Sequence, residues 1–181
     1  MFCTMKLELF VLPEVMRRDF VDAFVMDKAD FAVAHPDWVR LMDEQCPTGF
    51  DGWYEAAFLW EKMSPDIPTV DFERALALLR GQAGKVLFLS EAETSGHDGA
   101  LVLHGRKVYD FVAIADPREL ADRLEYEWHH EGRLFFEGKL ILPRDVYVFD
   151  TTLEWVIVFT HEWEEDADGA VQMRICKAFG L

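Results

Sequence analysis

The chain of 181 residues is 51% hydrophobic and 14% aromatic, which supplies enough apolar material for a folded core and argues against disorder. Its 34 acids and 18 bases give a formal net charge of −16. That charge argues against nucleic acid and anionic lipid as partners and favours a basic protein partner, although solubility alone is the simpler explanation.

The cysteines favour a reducing compartment. Cys3, Cys46 and Cys176 are odd in number and form no C-x-x-C pair, which argues against a disulfide framework and a structural zinc site. Residues 1–20 lack the basic leader and cleavage site of a secretory signal, and no uncharged stretch reaches the about 18 residues of a membrane span. We therefore expect a cytoplasmic protein that needs no cofactor.

Apolar residues recur at helical spacing through the first half of the chain. Proline and glycine divide this half, with a break at His35-Pro36 and a turn signal at 47–49. Four helices are predicted: within residues 13–31, from Pro36 onward, over the aromatic segment 51–63, and from Phe72 to a stop at Gly81 or Gly84.

The second half changes to the pattern of strands. Short apolar runs predict strands over 86–90, 145–150, 153–162 and 170–178, and a hairpin within 100–115 that turns at His104-Gly105-Arg106-Lys107. One helix interrupts them, because Asp116, Pro117 and Glu119 occupy the positions of an N-cap acid, an N1 proline and an N3 glutamate.

These elements predict an α+β fold, in which a helical N-terminal half packs on a mainly antiparallel sheet from the C-terminal half. One domain is expected over 1–181, with its helical part at about 13–84 and its strand-rich part at about 85–181. The helices are expected on one face of that sheet.

The stretch FTHEWEEDADG, residues 159–169, is the first candidate site. Alternation along a strand places Trp155, Ile157, Phe159 and His161 on one face, and Val156, Val158, Thr160 and Glu162 on the other. His161 and Glu162 are therefore not expected to form an acid–base pair. The acids that follow lack the spacing of a calcium loop, so we expect a solvated loop that can meet Lys or Arg of a partner: Glu162, Glu164, Glu165, Asp166 and Asp168.

Other candidate residues are weaker. His97-Asp98 lies in a glycine-rich loop, and His129-His130 ends a predicted helix; with His161 these histidines would bind metal only if the fold brought them together. No nucleophile or phosphate-binding motif is present, so no catalytic residue is predicted. In the aromatic segment, Tyr54 and Trp60 would suit a partner-binding hot spot if they are exposed.

The stretch DVYVFDTTLEWVIVFTHE, residues 145–162, resembles a C-terminal hairpin of small uncharacterised bacterial proteins that carries the pattern YVFD…W…THE. The resemblance implies a bacterial, cytoplasmic protein and no established activity. Small acidic α+β proteins of bacteria also include immunity proteins that neutralise toxins, an analogy of class and charge only.

The leading hypothesis is a non-enzymatic acidic protein that binds a basic protein partner, with a toxin-neutralising immunity protein as its concrete form. Its acidic surface would include the 162–168 segment and the helix from Pro117 to His130. One alternative is an enzyme or metal-binding domain that uses His97, Asp98, His161 and Glu162. Another is an inhibitor that mimics DNA through its dense acids.

Overall fold

The computed structural model describes residues 8–64, 67–90, 101–103, 106–108, 111–129, 145–165 and 172–181. The helices in these ranges are α1 (Pro13–Phe24), α2 (Lys28–Ala34), α3 (Pro36–Gln45), α4 (Gly49–Ala56), α5 (Phe72–Arg80) and α6 (Pro117–His129), with a 3-10 turn at Leu59–Glu61. The strands are β1 (Glu8–Leu9), β2 (Thr69–Val70), β3 (Val86–Ser90), β4 (Leu101–Leu103), β5 (Arg106–Val108), β6 (Val112–Ala115), β7 (Val146–Phe149), β8 (Val156–Glu165) and β9 (Gln172–Phe179).

Seven of these strands form one antiparallel sheet in the order β1-β6-β3-β7-β8-β9-β2. Strands β4 and β5 pair only with each other. The helices lie mostly in the N-terminal half and the strands mostly in the C-terminal half, so the predicted α+β class is confirmed.

Helices cover both faces of the sheet, which corrects the expectation that they lie on one face. On one face α5 and α6 bury Leu76, Leu79 and Leu120 against Phe88 and Ile157. On the other, α1 and the segment that follows the 3-10 turn cover the strands with buried apolar side chains: Phe20, Phe24, Met63 and Ile67 pack against Leu87, Leu89, Tyr147, Val156 and Val158. Strands that are apolar on both faces need two covers, as the sequences of β3, β7 and β8 indicate.

The helix predicted within residues 13–31 is two helices. Val25 forms an isolated bridge with Met63, and the backbone N–H of Met26 donates to the carbonyl of Lys62 at 3.0 Å. Asp27 then caps α2 by accepting a hydrogen bond from the backbone N–H of Asp30 at 2.8 Å. A long-range backbone contact, which the local pattern does not contain, therefore divides the helix.

Two further boundaries differ from the predicted ones. The helix expected over 51–63 ends at Ala56 and gives way to the 3-10 turn. Leu103 pairs with Arg106, so the β4–β5 loop has two residues. The turn therefore spans 103–106, one position earlier than the turn predicted at 104–107. His104 and Gly105 themselves lie outside the described residues. The end of the expected hairpin, Val112–Ala115, instead joins the main sheet as β6.

Candidate functional site

Strand β8 contains a bulge at the point where the sequence analysis placed His161 and Glu162. Phe159 pairs with Cys176 and Trp163 pairs with Arg174, so three residues of β8 face one residue of β9. The buried Thr160 fills this irregularity: its hydroxyl donates to the carbonyl of Ile175 at 2.7 Å and accepts from the backbone N–H of Glu162 at 3.2 Å. Alternation along the strand therefore stops at Phe159.

The bulge removes the geometric basis for the expected orientation of His161 and Glu162. Through Phe159 the alternation holds, since Ile157 and Phe159 contribute to one core and Val156 and Val158 to the other. Beyond that point strict alternation no longer applies. The Glu162 side chain is exposed, whereas the side chain of His161 lies outside the described part of the structure.

Strand β9 places a cysteine in the core of the sheet, although alternation over 170–178 groups Cys176 with the polar residues Gln172 and Arg174. Cys176 is instead fully buried, in the core that contains Phe159 and Phe72. Its register partner is Phe159, an inward-facing residue of β8, so Cys176 shares that face. A small apolar thiol suits this position.

The acidic run is strand rather than loop over its first residues, which corrects the expectation of a loop from Glu162 onward. Glu162, Glu164 and Glu165 belong to β8, where Glu164 pairs with Met173 and Glu165 with Gln172. The partner strand β9 satisfies the backbone groups that a loop would leave to water. Asp166 and Asp168 lie outside the described residues.

Helix α6, the second acidic surface that was predicted, uses part of its charge internally. The guanidinium of Arg80 contacts Asp122 at 2.9 Å and Glu125 at 2.7 Å. Its hydrogen bond to Asp122, with that to Glu125, raises the pKa of Arg80 above the ordinary value. The N-cap is as predicted, because Asp116 accepts from the backbone N–H groups of Arg118 and Glu119 at 3.0 and 3.2 Å. The Asp122–Glu125 side of α6 is thus partly neutralised.

Tyr54 and Trp60 are both half-buried. The Tyr54 hydroxyl donates to the carbonyl of Met26 at 2.5 Å, and burial raises the pKa of Tyr54. The backbone N–H of Trp60 donates to the hydroxyl of Tyr147 at 3.2 Å, and its indole nitrogen is buried without a hydrogen-bond partner in the described part of the chain. The Tyr54 side chain and the Trp60 backbone thus connect segments of the fold, and the Trp60 side chain packs against a core of the sheet.

Helices α2–α4, residues 27–56, form a small aromatic cluster of their own, which we call the α2–α4 unit. Phe31 and Phe50 are its buried centre, with ring centroids 6.0 Å apart. His35 packs 4.8 Å from Phe31, and Trp53 packs 5.8 Å from Phe50. None of these four residues belongs to either core of the sheet. The unit is therefore held together by its own apolar contacts.

The outer surface of the α2–α4 unit is apolar and acidic. Val33 is 83% exposed and Trp38 is 40% exposed, although Trp38 still touches Trp53 edge to face at 5.6 Å. Residues 27–56 contain seven acids and two bases. Both bases already contact acids of the same unit, Lys28 with Asp51 at 2.7 Å and Arg40 with Asp37 at 3.1 Å.

The spacing of apolar residues in the sequence does not predict this surface. The spacing of Trp38 with Leu41 and Met42 is typical of a buried stripe, yet none of the 10 residues of α3 is fully buried. The signal that was available is the acid content of residues 27–56 around one exposed aromatic residue.

The described residues form no candidate metal centre. No three His, Cys, Asp or Glu side chains among them are placed to hold a metal ion. His97, Asp98 and His130 lie outside the described ranges, as do the side chains of His129 and His161. Cys46 contacts the hydroxyl of Thr48 at 3.3 Å, and this hydrogen bond lowers the pKa of its thiol.

Comparisons with protein-family models, curated proteins and solved structures gave no match to this chain. The resemblance of residues 145–162 to a bacterial hairpin remains a prediction. In the described part of the chain, no helix combines the length and the apolar character needed to cross a membrane. The class that fold and surface define is an α+β protein with a strongly acidic exterior.

Proposed function

We propose that this protein is a non-enzymatic binding protein whose acidic surface engages a basic protein partner. The observation that carries the proposal is the unbalanced charge of the α2–α4 unit, where seven acids face two bases. Lys28 and Arg40 already contact Asp51 and Asp37, and Glu55 also interacts with Lys28, so seven acids share only two bases within the unit.

The physical reason for a protein partner is electrostatic. A surface with excess negative charge repels nucleic acid and accelerates encounter with positive surfaces. Complementary charge also selects against wrong partners, because like charges brought together are costly. Exposed Trp38 gives the same surface an apolar contact of the kind that carries binding energy in interfaces.

A toxin-neutralising immunity protein is the concrete form of this proposal. Such a protein works by covering the surface of a toxin, and a toxin that acts on nucleic acid presents Lys and Arg there. The support is chemical complementarity, together with the resemblance of residues 145–162 to a hairpin of bacterial proteins. A cytoplasmic location is part of the same proposal.

Affinity capture with the purified full chain tests the proposal. We expect a basic protein to be retained at about 0.05 M salt and released at about 0.3 M, because screening weakens contacts between exposed charges. Calorimetry with the identified partner should then show affinity that falls steeply with salt. Affinity that is indifferent to salt would contradict the proposal.

Two further measurements separate the alternatives. An inhibitor that mimics DNA should compete with nucleic acid on several unrelated nucleic-acid-binding proteins, whereas an immunity protein should bind its own partner only. Metal analysis of the purified protein, compared with His161→Ala, addresses a metal-binding function. Bound metal that disappears in the variant would favour the metal-binding alternative over the binding protein.

A further inference from the structure

We infer that the docking face for the basic partner is the outer surface of α2 and α3, with Val33 and Trp38 at its centre. Its occupant is a segment of the partner in which apolar side chains are flanked by Lys or Arg. This inference rests on the proposed function and adds the location of the site and the chemistry of the segment that binds there.

The first argument is the apolar exposure on these two helices. Most large apolar side chains of the described chain pack in the two cores of the sheet or in the α2–α4 cluster. Val33, at 83% exposure, and Trp38, at 40%, are exceptions on consecutive helices. Apolar groups of this size that are surrounded by a rim of polar residues are typical of the core of an interface.

The second argument is charge. Asp30, Asp37 and Glu44 are exposed acids of the same two helices. Asp37 contacts Arg40 in a pair whose side chains are 92% and 72% exposed, and such surface pairs contribute roughly 0–1 kcal/mol. A cation of the partner can therefore replace Arg40 at small cost.

A second apolar patch on the chain shows why charge selects the α2–α3 face. Leu9, Val11, Leu12 and Val15 are also exposed, with Val11 at 90%. Within residues 8–19, however, three acids face Arg17 and Arg18, and Arg18 contacts Asp19 at 3.5 Å. The excess is one acid there against five in the α2–α4 unit, so that patch gives a basic segment a weaker electrostatic preference and serves as the control surface.

The third argument is the independence of the α2–α4 unit. Its buried centre, Phe31 and Phe50, belongs to neither core of the sheet. A partner can therefore shift α2 and α3 slightly to improve its fit without disturbing the packing of β3, β7 and β8. The hydrogen bond from Tyr54 to Met26 keeps α4 attached to the start of α2.

The test compares two valines with similar exposure. The probe is a synthetic amphipathic peptide of leucine and lysine, titrated into the full chain and followed by calorimetry and tryptophan fluorescence. Val33→Lys and Val11→Lys change the net charge equally. We expect Val33→Lys to weaken binding about 10-fold or more and Val11→Lys by about twofold or less, because only the first places a cation inside the docking face.

A second peptide and a second variant complete the design. A peptide with the same lysines and serine in place of leucine should bind at least about 10-fold more weakly, and Trp38→Ala should approach the effect of Val33→Lys. Circular dichroism checks the fold of each variant. Equal effects of the two valine variants, equal affinity of the two peptides, or no binding of the leucine–lysine peptide would overturn the inference.

The outcomes also separate this inference from the proposed function. Peptide binding that is salt-dependent but unaffected by Val33→Lys removes the location and leaves the acidic binding protein standing. Loss of salt dependence in the wild-type protein removes the proposed function itself.

Discussion

At the scale of single residues, two glycines with nearly the same backbone conformation separate strain from steric clash. Gly84 has φ +78° and open space where a side-chain methyl would lie, whereas a Cβ at Gly180, φ +77°, would lie 2.2 Å from the carbonyl oxygen of Glu154. We expect Gly84→Ala to lower the free energy of unfolding by about 1 kcal/mol and Gly180→Ala by about 2–4 kcal/mol, measured by urea unfolding. Equal losses would show that the C-terminus moves aside.

A second prediction at this scale concerns Asp150, which begins the turn between β7 and β8. Burial of its carboxylate opposes ionisation, but hydrogen bonds from Thr152 and from the indole of Trp155 outweigh that effect and hold the pKa of Asp150 below its ordinary value. The stabilisation is therefore complete above the unfolded pKa of about 3.9 and is lost as pH falls through the lower folded value.

Asp150→Asn tests this sign. The variant should be less stable than wild type near pH 7, and the difference should shrink as the pH falls below about 3.9, because protons then bind the unfolded wild-type chain more readily than the folded one. Urea unfolding at several pH values measures it. Asp37→Asn is the control, since Asp37 lies in an exposed pair with Arg40. A difference for Asp150→Asn that grows toward acid pH would contradict the assignment.

At the scale of elements, the α2–α4 unit should open independently of the sheet. Phe31→Ala removes the ring on which His35, Phe50 and Trp53 pack. We expect faster hydrogen exchange confined to residues 27–56. Phe20→Ala is the matched control, because Phe20 lies in a core of the sheet and its loss should cost about 3–5 kcal/mol globally. Exchange that rises equally in β7 and β8 for Phe31→Ala would contradict the independence of the unit.

Element boundaries also show how far the sequence could predict the fold. Local chemistry was sufficient where it acts within a turn: Pro36 starts α3, Asp116 caps α6, and Gly81 ends α5. Local chemistry did not predict the boundaries that contacts with distant residues determine. The division between α1 and α2 depends on contacts with residues 62 and 63, and the β8 bulge depends on the register of β9.

The candidate site shows the same limit. Acid content is a property of composition, so the negative surface could be predicted. The exposure of a side chain is not a property of composition. Trp38 has the spacing of a buried residue and lies outside the cores only because of the way α3 packs on α4. The sequence makes Tyr54 a candidate for partner binding, but its hydroxyl donates a hydrogen bond to the carbonyl of Met26 within the fold.

At the scale of the whole molecule, the architecture separates the cores that stabilise the fold from the surface proposed to bind a partner. The two cores lie between the sheet and its covering helices, and they contain the largest buried side chains, among them Tyr147, Phe20, Phe88 and Phe149. The seven acids of residues 27–56 are all exposed, so water screens them. Changes to the acidic exterior of α2 and α3 should therefore have little effect on folding, so they can test the proposed binding.

The net charge of −16 leads to a prediction about salt in which stability and binding change in opposite directions. Raising sodium chloride from about 0.05 M to about 0.5 M shortens the screening length from roughly 14 Å to 4 Å and reduces repulsion among the excess acids. The ion pairs that salt also weakens, such as Arg80 with Asp122, contribute only about 0–1 kcal/mol each. Repulsion is the larger effect, so the urea midpoint should rise.

Over the same range the affinity for a basic partner or for the leucine–lysine peptide should fall, because there the screened interaction is attractive. Urea is uncharged, so the unfolding measurement leaves ionic strength under the control of the added salt. A midpoint that falls with salt would mean that favourable ion pairs, rather than repulsion among acids, dominate the electrostatics of this molecule, and the excess charge would then not be held at the surface for a partner.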